Sequence, residues 1–323
     1  MKVLNIGSCN IDYIYEVDHM VRPGETQTVH NLEIVSGGKG LNQSISLAKA
    51  GVEVYHAGLI GKDGMILRQA LEIHGAKTDY LYEVEGPSGH AIIQIDAHGE
   101  NCILVYPGAN HQFNETRIDE ILNHFESGDL LLLQNEVNEM PLIVKKAYER
   151  GLQIAINPAP FNEQIKDIPL HLVDYLILNE IEGQDLTKET NDFKVLEALK
   201  VNYPNTHILL TRGSKGVLYT YQDVMIEQPA YKVEAVDTTA AGDTFIGYFI
   251  SGLVRGLDME ETLKLASRAS SITVTRKGSS SSILTIPVMD MGAPLLGMHS
   301  IRELASVEDH DFTVKLFTTF FGL

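Results

Sequence analysis

Asp237-Thr238-Thr239-Ala240-Ala241-Gly242-Asp243-Thr244-Phe245 is the stretch of this chain whose residue types and spacing best suit chemistry. A turn of short side chains, Ala240 to Gly242, runs straight into an apolar segment of helical length, Phe245 to Leu253. Without bulky side chains the first N–H groups of that helix stay bare. With the positive end of the helix dipole they make a natural anion site. Asp243 puts a carboxylate inside this anion-attracting turn. The combination suits phosphoryl transfer, with donors for the moving group and a base for the proton of an attacking hydroxyl. The local pattern alone equally allows Asp243 as a plain N-cap and Gly242 as a turn residue.

Two further groups bear on a substrate. Ser36-Gly37-Gly38-Lys39-Gly40-Leu41-Asn42 is a glycine-rich turn before a helix, without the GxxxxGKS/T spacing of a P-loop or the GxGxxG of a dinucleotide fold. Its glycines let a ligand approach the backbone, while Lys39 and Asn42 supply hydrogen-bonding groups. Asp12 is a carboxylate among strand-like apolar residues. It suits the hydroxyls of a sugar diol, or simply a β-edge.

The elements that would position these groups alternate. Val3–Ile6, Val54–Ile60, Leu130–Leu133, Ile154–Ile156, Tyr175–Leu178 and Ile208–Leu210 read as buried strands. Between them, helical periods run over Leu41–Ala50, Met65–His74, Glu115–Phe125, Glu139–Arg150, Phe193–Val201, Thr244–Arg255 and Glu260–Thr275. This predicts a mainly parallel sheet covered on both faces, with ligands at the carboxyl ends of the strands. The polar runs Asn157–Pro160, Asn179–Glu182 and Thr211–Ser214 fall at such ends. Ile11–Val17 with Thr26–Val35, and His90–Asp96 with Asn101–Tyr106, read instead as half-buried strands of a small projecting β-layer. That layer is a lid or a fixed edge extension.

The 323 residues allow one large domain or two ordinary ones, and 44% hydrophobic residues suffice for a sizeable core. A formal charge of −18 argues against nucleic acid or an anionic membrane as partner, so an anionic nucleotide needs local donors and metal ions. Two cysteines, Cys9 and Cys102, fit free thiols in a reducing cytosol better than a disulfide. No leader pattern opens the chain, and no run approaches the ~18 apolar residues of a membrane span, so a cytoplasmic protein is expected.

These residues resemble the ribokinase-like (PfkB) family of carbohydrate kinases, and within it the ribokinase branch. The likeness runs from about Val3 to Ile283 and rests on two separated signatures, Gly37–Asn42 and Asp237–Phe245. Gly7–Asp12, Pro23–Thr26, Gly108–Asn110, Asn157–Pro160 and Thr275–Gly278 also stand where ribokinases carry similar runs. The resemblance implies a three-layer α/β/α fold and ATP-dependent phosphorylation of ribose at its primary hydroxyl. It implies Asp243 as the general base, and the N–H groups of Ala240, Ala241, Gly242 and Asp243 as an anion hole. Asn10, Asp12, Gly38, Lys39, Asn42 and Glu136 would hold the sugar. Thr211, Gly213, Gly216 and Asn179 would line the nucleotide pocket. Asn179 and Glu182 would organise Mg²⁺ through its waters, and K⁺ would sit among Asp237, Thr239, Thr273, Arg276, Gly278 and Ser282. A homodimer through the lid is implied as well. Against the family pattern, Ala241 stands where the wider family commonly has glycine, and Ile246 where ribokinases often have a polar residue.

The expected organisation is a kinase domain over 1–285, with its lid at about 10–35 and 88–107, and an atypical tail over 286–323. That tail resembles the C-terminus of aspartyl aminopeptidases, zinc enzymes of another fold. Zinc binding is not carried over to His299, since such a site needs three or four converging ligands. Val314–Phe321 suits a final amphipathic helix. The alternatives are a sibling kinase acting on another sugar or a nucleoside, a non-catalytic sugar-binding protein, and, from the tail alone, a metallopeptidase. A nucleoside kinase would want stacking residues in the lid, and His90–Tyr106 shows no obvious set.

Overall fold

The computed structural model describes residues 1–278 together with 280, 282, 283 and 285. The tail from 286 onward, with His299 and the expected helix Val314–Phe321, lies outside the described residues.

Thirteen strands are described: β1 (Val3–Ile6), β2 (Asn10–Glu16), β3 (Asn31–Gly37), β4 (Val54–Ile60), β5 (Lys77–Glu83), β6 (Gly89–Ile95), β7 (Asn101–Tyr106), β8 (Leu130–Gln134), β9 (Gln153–Asn157), β10 (Tyr175–Asn179), β11 (His207–Thr211), β12 (Val217–Tyr221) and β13 (Val224–Gln228). Eight α-helices accompany them: α1 (Lys39–Lys49), α2 (Met65–Ile73), α3 (Glu115–Leu122), α4 (Met140–Glu149), α5 (Glu180–Thr187), α6 (Asp192–Asn202), α7 (Ala241–Val254) and α8 (Met259–Thr273).

The main sheet has nine strands in the order β13-β12-β11-β10-β9-β8-β1-β4-β5. It is parallel from β5 to β11, and β12 and β13 add an antiparallel end. Both faces of the inner parallel strands are buried, so these read as short apolar runs whose alternate residues serve different layers, whereas β5 at the edge is half-exposed. Leu4, Ile6, Leu131, Leu133, Ile154, Ile156 and Leu176 pack on one side with Ile121 of α3, Val144 of α4 and Leu199 of α6. Val3, Leu130, Leu132, Ala155 and Ile177 pack on the other with Ile45 of α1, Leu67 of α2, Phe249 of α7 and Leu263 of α8. This is the expected three-layer architecture.

Chain order reverses at β1. The chain goes from β1 outward to β4 and β5, then returns to place β8 on the other flank of β1. Such a reversal leaves a crevice beyond the strand ends, which is where α/β sheets bind ligands. A separate four-stranded sheet, β3-β2-β6-β7, is the small β-layer expected as the lid. The expected lid strand Thr26–Val35 is displaced to Asn31–Gly37. Its antiparallel register runs from Asn10↔Gly37 to Glu16↔Asn31, so pairing with β2 draws in Ser36 and Gly37 and leaves 26–30 outside the strand. The hairpin signal at Ala97–Glu100 does join the antiparallel pair β6–β7. Among the described residues no helix is long and apolar enough to cross a membrane.

Candidate active site

The first turn of α7 carries the carboxylate. Ala240 is its N-cap, in the left-handed region at φ 59°, and no side chain caps the helix. The place where a glycine would relieve the backbone is therefore Ala240, while Ala241 begins the helix. Of the four N–H groups expected to face an anion, that of Ala241 donates to the Thr238 carbonyl at 3.2 Å. Those of Ala240, Gly242 and Asp243 have no acceptor among the described residues. A Cβ built on Gly242 meets nothing within 4 Å, and Ala240, Gly242 and Asp243 all line an open cavity. The turn is tied from behind. The Thr244 hydroxyl donates to the Ala240 carbonyl (2.8 Å), and Ser270 Oγ of α8 donates to the Ala241 carbonyl (2.9 Å).

Asp243 is buried, at 8% exposure, and faces α1. Gln43 Nε2 donates to its Oδ1 at 2.9 Å, and Asn42 Nδ2 lies 3.4 Å from Oδ2. The two helices approach closely because Gly247 has no side chain; a Cβ there would stand 2.1 Å from Ser46 Oγ. Asn42 Oδ1 is buried without a partner among the described residues, an acceptor that a ligand's hydroxyl could use.

The sugar-type residues gather at the β1/β8 crevice. Ser8 Oγ and the Lys39 backbone N–H both donate to Glu136 Oε2, the latter at 3.0 Å. Asn110 Nδ2 donates to Asn10 Oδ1 at 2.8 Å. Asp12 projects from β2 on the lid side, with its carboxylate beside Gly37. Burial, and then the charge of Glu136, push Asp12 up to about 7. Burial also raises Glu136, although Ser8 and Lys39 favour its ionised form. Burial works against a charged Lys39, but Asp243, Glu136 and Glu182 outweigh it and hold the ammonium above its ordinary range. Lys39 therefore stands in the field of three carboxylates.

A cavity of about 250 Å³ adjoins this group. Lys39, Asn179, Glu182, Thr211, Gly242 and Asp243 line it, with Ile246 at its apolar wall. Asn179 and Thr211 are register partners at the ends of β10 and β11. Asn179 caps α5 in a reciprocal box with Glu182, in which its N–H and Nδ2 hold the two carboxylate oxygens at 2.9 and 2.8 Å. Burial raises the Glu182 carboxyl. Gly213 and Gly216 lie in the turn beyond Thr211. Gly213 is exposed, whereas Gly216, at φ 98°, packs against the Gln228 carbonyl.

Asp237 closes a neighbouring loop. Its Oδ1 accepts from the Thr239 N–H (2.9 Å) and its Oδ2 from the Gly278 N–H (3.0 Å). Burial pushes Asp237 up, but these hydrogen bonds and the charge of Lys277 prevail and hold it below its ordinary range. The Thr273 carbonyl accepts from the Arg276 N–H at 3.1 Å, and Ser282 is buried. The loop thus brings Asp237, Thr239 and Gly278 into direct contact.

Sequence reasoning passed over Gln43, Gln134 and Ser8. The signal was available in α1, where Asn42, Gln43, Ser44 and Ser46 are polar residues in a helix buried on every side from Gly40 to Leu47.

A profile of the pfkB family carbohydrate kinases matches residues 1–286. A second profile, of the aminopeptidase I zinc metalloproteases (M18), matches residues 263–321. Its first part overlaps α8, and among the described residues no group of three His, Cys, Asp or Glu could hold a metal ion. The ribokinase of Bacillus subtilis is 34% identical over 281 residues, covering 85% of this chain and 93% of its own. The crystal structure of ribokinase from Cryptococcus neoformans in complex with ADP superposes with a TM-score of 0.76 at 34% identity, covering 88% of this chain and 97% of that one. The structure of Arabidopsis thaliana ribokinase complexed with ribose and ATP gives 0.79 at 28% identity, covering 88% and 95%.

Proposed function

The chain belongs to the pfkB family of carbohydrate kinases and is a sugar kinase of the ribokinase type; from that premise we propose that it transfers the γ-phosphoryl group of ATP to the primary hydroxyl of ribose, giving ribose 5-phosphate and ADP. The observation that carries this reading is the buried Asp243 carboxylate beside three N–H groups without acceptors among the described residues, at an open cavity. The hydroxyl oxygen attacks phosphorus as its proton passes to Asp243, the new O–P bond forms, and the bond to the ADP oxygen breaks. The N–H groups of Ala240, Gly242 and Asp243 take the charge on the moving phosphoryl. Removing one well-aimed donor of this kind costs about 3–4 kcal/mol.

Asn10, Asp12, Gly38, Lys39, Asn42 and Glu136 hold the sugar hydroxyls in this reading, and Asn179, Thr211, Gly213 and Gly216 the nucleotide. Asn179 and Glu182 fit Mg²⁺ held through water, since both Glu182 oxygens are already engaged by Asn179. That ion neutralises phosphate charge. Asp237, with the oxygens of Thr239, Thr273, Arg276, Gly278 and Ser282, fits a monovalent cation such as K⁺, an all-oxygen set with one carboxylate. The kinase domain is 1–285 and the tail 286–323. The exposed apolar residues Leu32, Ile34, Ile92 and Leu104, which the register puts on one face of the lid, support a homodimer through that sheet. A cytoplasmic location accords with two free cysteines.

The test is ADP release from ATP and Mg²⁺ with ribose, deoxyribose, hexoses and nucleosides, each with and without K⁺. Turnover confined to ribose and stimulated by K⁺ is expected. Turnover on another sugar moves the substrate and keeps the mechanism.

A further inference from the structure

Behind the carboxylate at the head of α7, three primary amides are buried where apolar side chains would ordinarily pack. Gln43 of α1, Gln134 of β8 and Asn5 of β1 are each fully inaccessible. They are linked through Gln134, whose Nε2 donates to both neighbours while its Oε1 has no partner among the described residues. Gln43 Nε2 donates to Asp243 Oδ1 at 2.9 Å, with Asn157 Oδ1 as a second acceptor at 3.4 Å. Gln43 Oε1 accepts from Gln134 Nε2 at 2.6 Å. Gln134 Nε2 donates also to Asn5 Oδ1 at 3.0 Å, and Asn5 Nδ2 ends the chain on the Gly40 carbonyl and Ser44 Oγ, both at 2.8 Å.

An amide can be flipped, and the chain removes that freedom. A reversed Gln43 would set its oxygen against Asp243 Oδ1 and its NH₂ against the NH₂ of Gln134, two repulsions in a buried site. The sense of the last link is fixed by the Gly40 carbonyl, which only accepts. Oδ1 of Asp243 is therefore held by a donor of fixed direction. Among the described residues Oδ2 has only the Asn42 Nδ2 contact at 3.4 Å, which leaves it available to a hydroxyl proton.

We propose that Gln43 is a positioning residue that orients the Asp243 carboxylate for proton abstraction, held in its working sense by Gln134 and Asn5. This rests on the reading of Asp243 as the base.

The experiment is a double-mutant cycle. Gln43→Leu, Asp243→Asn and the double variant are assayed for ADP release with ATP, Mg²⁺ and ribose, or with whichever sugar the enzyme turns over. Gln43→Leu is expected to lower kcat about 10- to 100-fold, since small misplacement of a reacting group carries losses of that order. The sugar KM should stay within about twofold. In the Asp243→Asn background the same change should add nothing, because a residue acting only through Asp243 has nothing left to act on. Should Gln43→Leu fail to fold, Gln43→Glu, which keeps the shape and the acceptor for Gln134, is read by the same criteria. An unchanged kcat, a loss confined to KM, or losses that multiply in the double variant overturns the proposal. If Asp243→Asn alone retains turnover, the base assignment fails and this inference falls with it. If Asp243→Asn is inactive while both Gln43 variants keep full kcat, only this inference falls.

Discussion

Gly242→Ala separates what the turn does for the fold from what it does for the reaction. Gly242 is the second residue of α7, and a Cβ on it meets no atom within 4 Å. The folded chain has room for the methyl, and glycine is the poorer helix residue by about 0.5–1 kcal/mol. For a domain of this size that corresponds to a Tm about 1–3 °C higher. The same methyl is added at the cavity that Ala240, Gly242 and Asp243 line, where a phosphoryl group would have to sit. Pushing that group off its donors is comparable to deleting one of them, about 10²- to 10³-fold in kcat. The sugar KM should hardly move, because Asp12, Asn42 and Glu136 are untouched. Thermal melting of the free protein and ADP release with saturating sugar measure the two effects side by side. A variant as active as the parent would refute the anion-hole reasoning. A Tm lowered by several degrees would refute the claim that the space is empty.

Asp243→Asn should lower kcat about 10²- to 10⁴-fold, the usual contribution of a general base, while calorimetric ribose binding survives; near-parental turnover would reject the role. Sugar affinity should depend on pH through Asp12, whose carboxyl is raised to about 7 by burial and then by the charge of Glu136. A carboxylate accepts hydroxyls and a carboxylic acid accepts fewer, so affinity is present above pH 7 and lost as pH falls through it. The ribose Kd should weaken about tenfold from pH 8 to pH 6. A flat calorimetric profile over that span, or one that Asp12→Asn leaves intact, would remove Asp12 from the sugar site. Asp237→Ala frees the Thr239 and Gly278 N–H groups and should flatten the activity response in a K⁺ titration; an unaltered titration would defeat the cation assignment.

The parallel core was legible because strands buried on both faces are short apolar runs, and Val3–Ile6 and Val54–Ile60 coincide with β1 and β4. β5, Lys77–Glu83, was not read as a strand, because its charged ends and half-buried tyrosines look like loop from the sequence. β12 and β13 were passed over for a related reason: the antiparallel end of the sheet needs no intervening helix to announce it. Asn179–Glu182 read as a polar loop, yet it is the reciprocal cap that starts α5. In the candidate site, Asp243, Asp12 and the glycine turn stood out as local patterns. Gln43 and Gln134 did not, since they are far apart in sequence and their role exists only once α1, β8 and α7 converge. The left-handed residue at the head of α7, Ala240, carries no glycine to announce it in the sequence.

The charge distribution explains how a chain of net charge −18 can accommodate a triphosphate. Around the crevice its carboxylates are sorted. Asp12 and Glu136 stand on the side of the lid and β8, where hydroxyls would donate to them. The donors that would meet phosphate are uncharged N–H groups at the start of α7, which lose little on desolvation and bring no counter-charge. Lys39 is the cation between these sides, and Asp243, Glu136 and Glu182 together keep it protonated despite burial. Removing Lys39 would therefore do more than delete a ligand contact. It would leave Asp243, Glu136 and Glu182 without the cation that offsets their charges, raising their cost of ionisation where a base must stay ionised. The glycine turn places Lys39 at the junction of the two ligand regions. In the proposed reading that location would let one ammonium serve the sugar hydroxyls, the carboxylates and the incoming phosphate together.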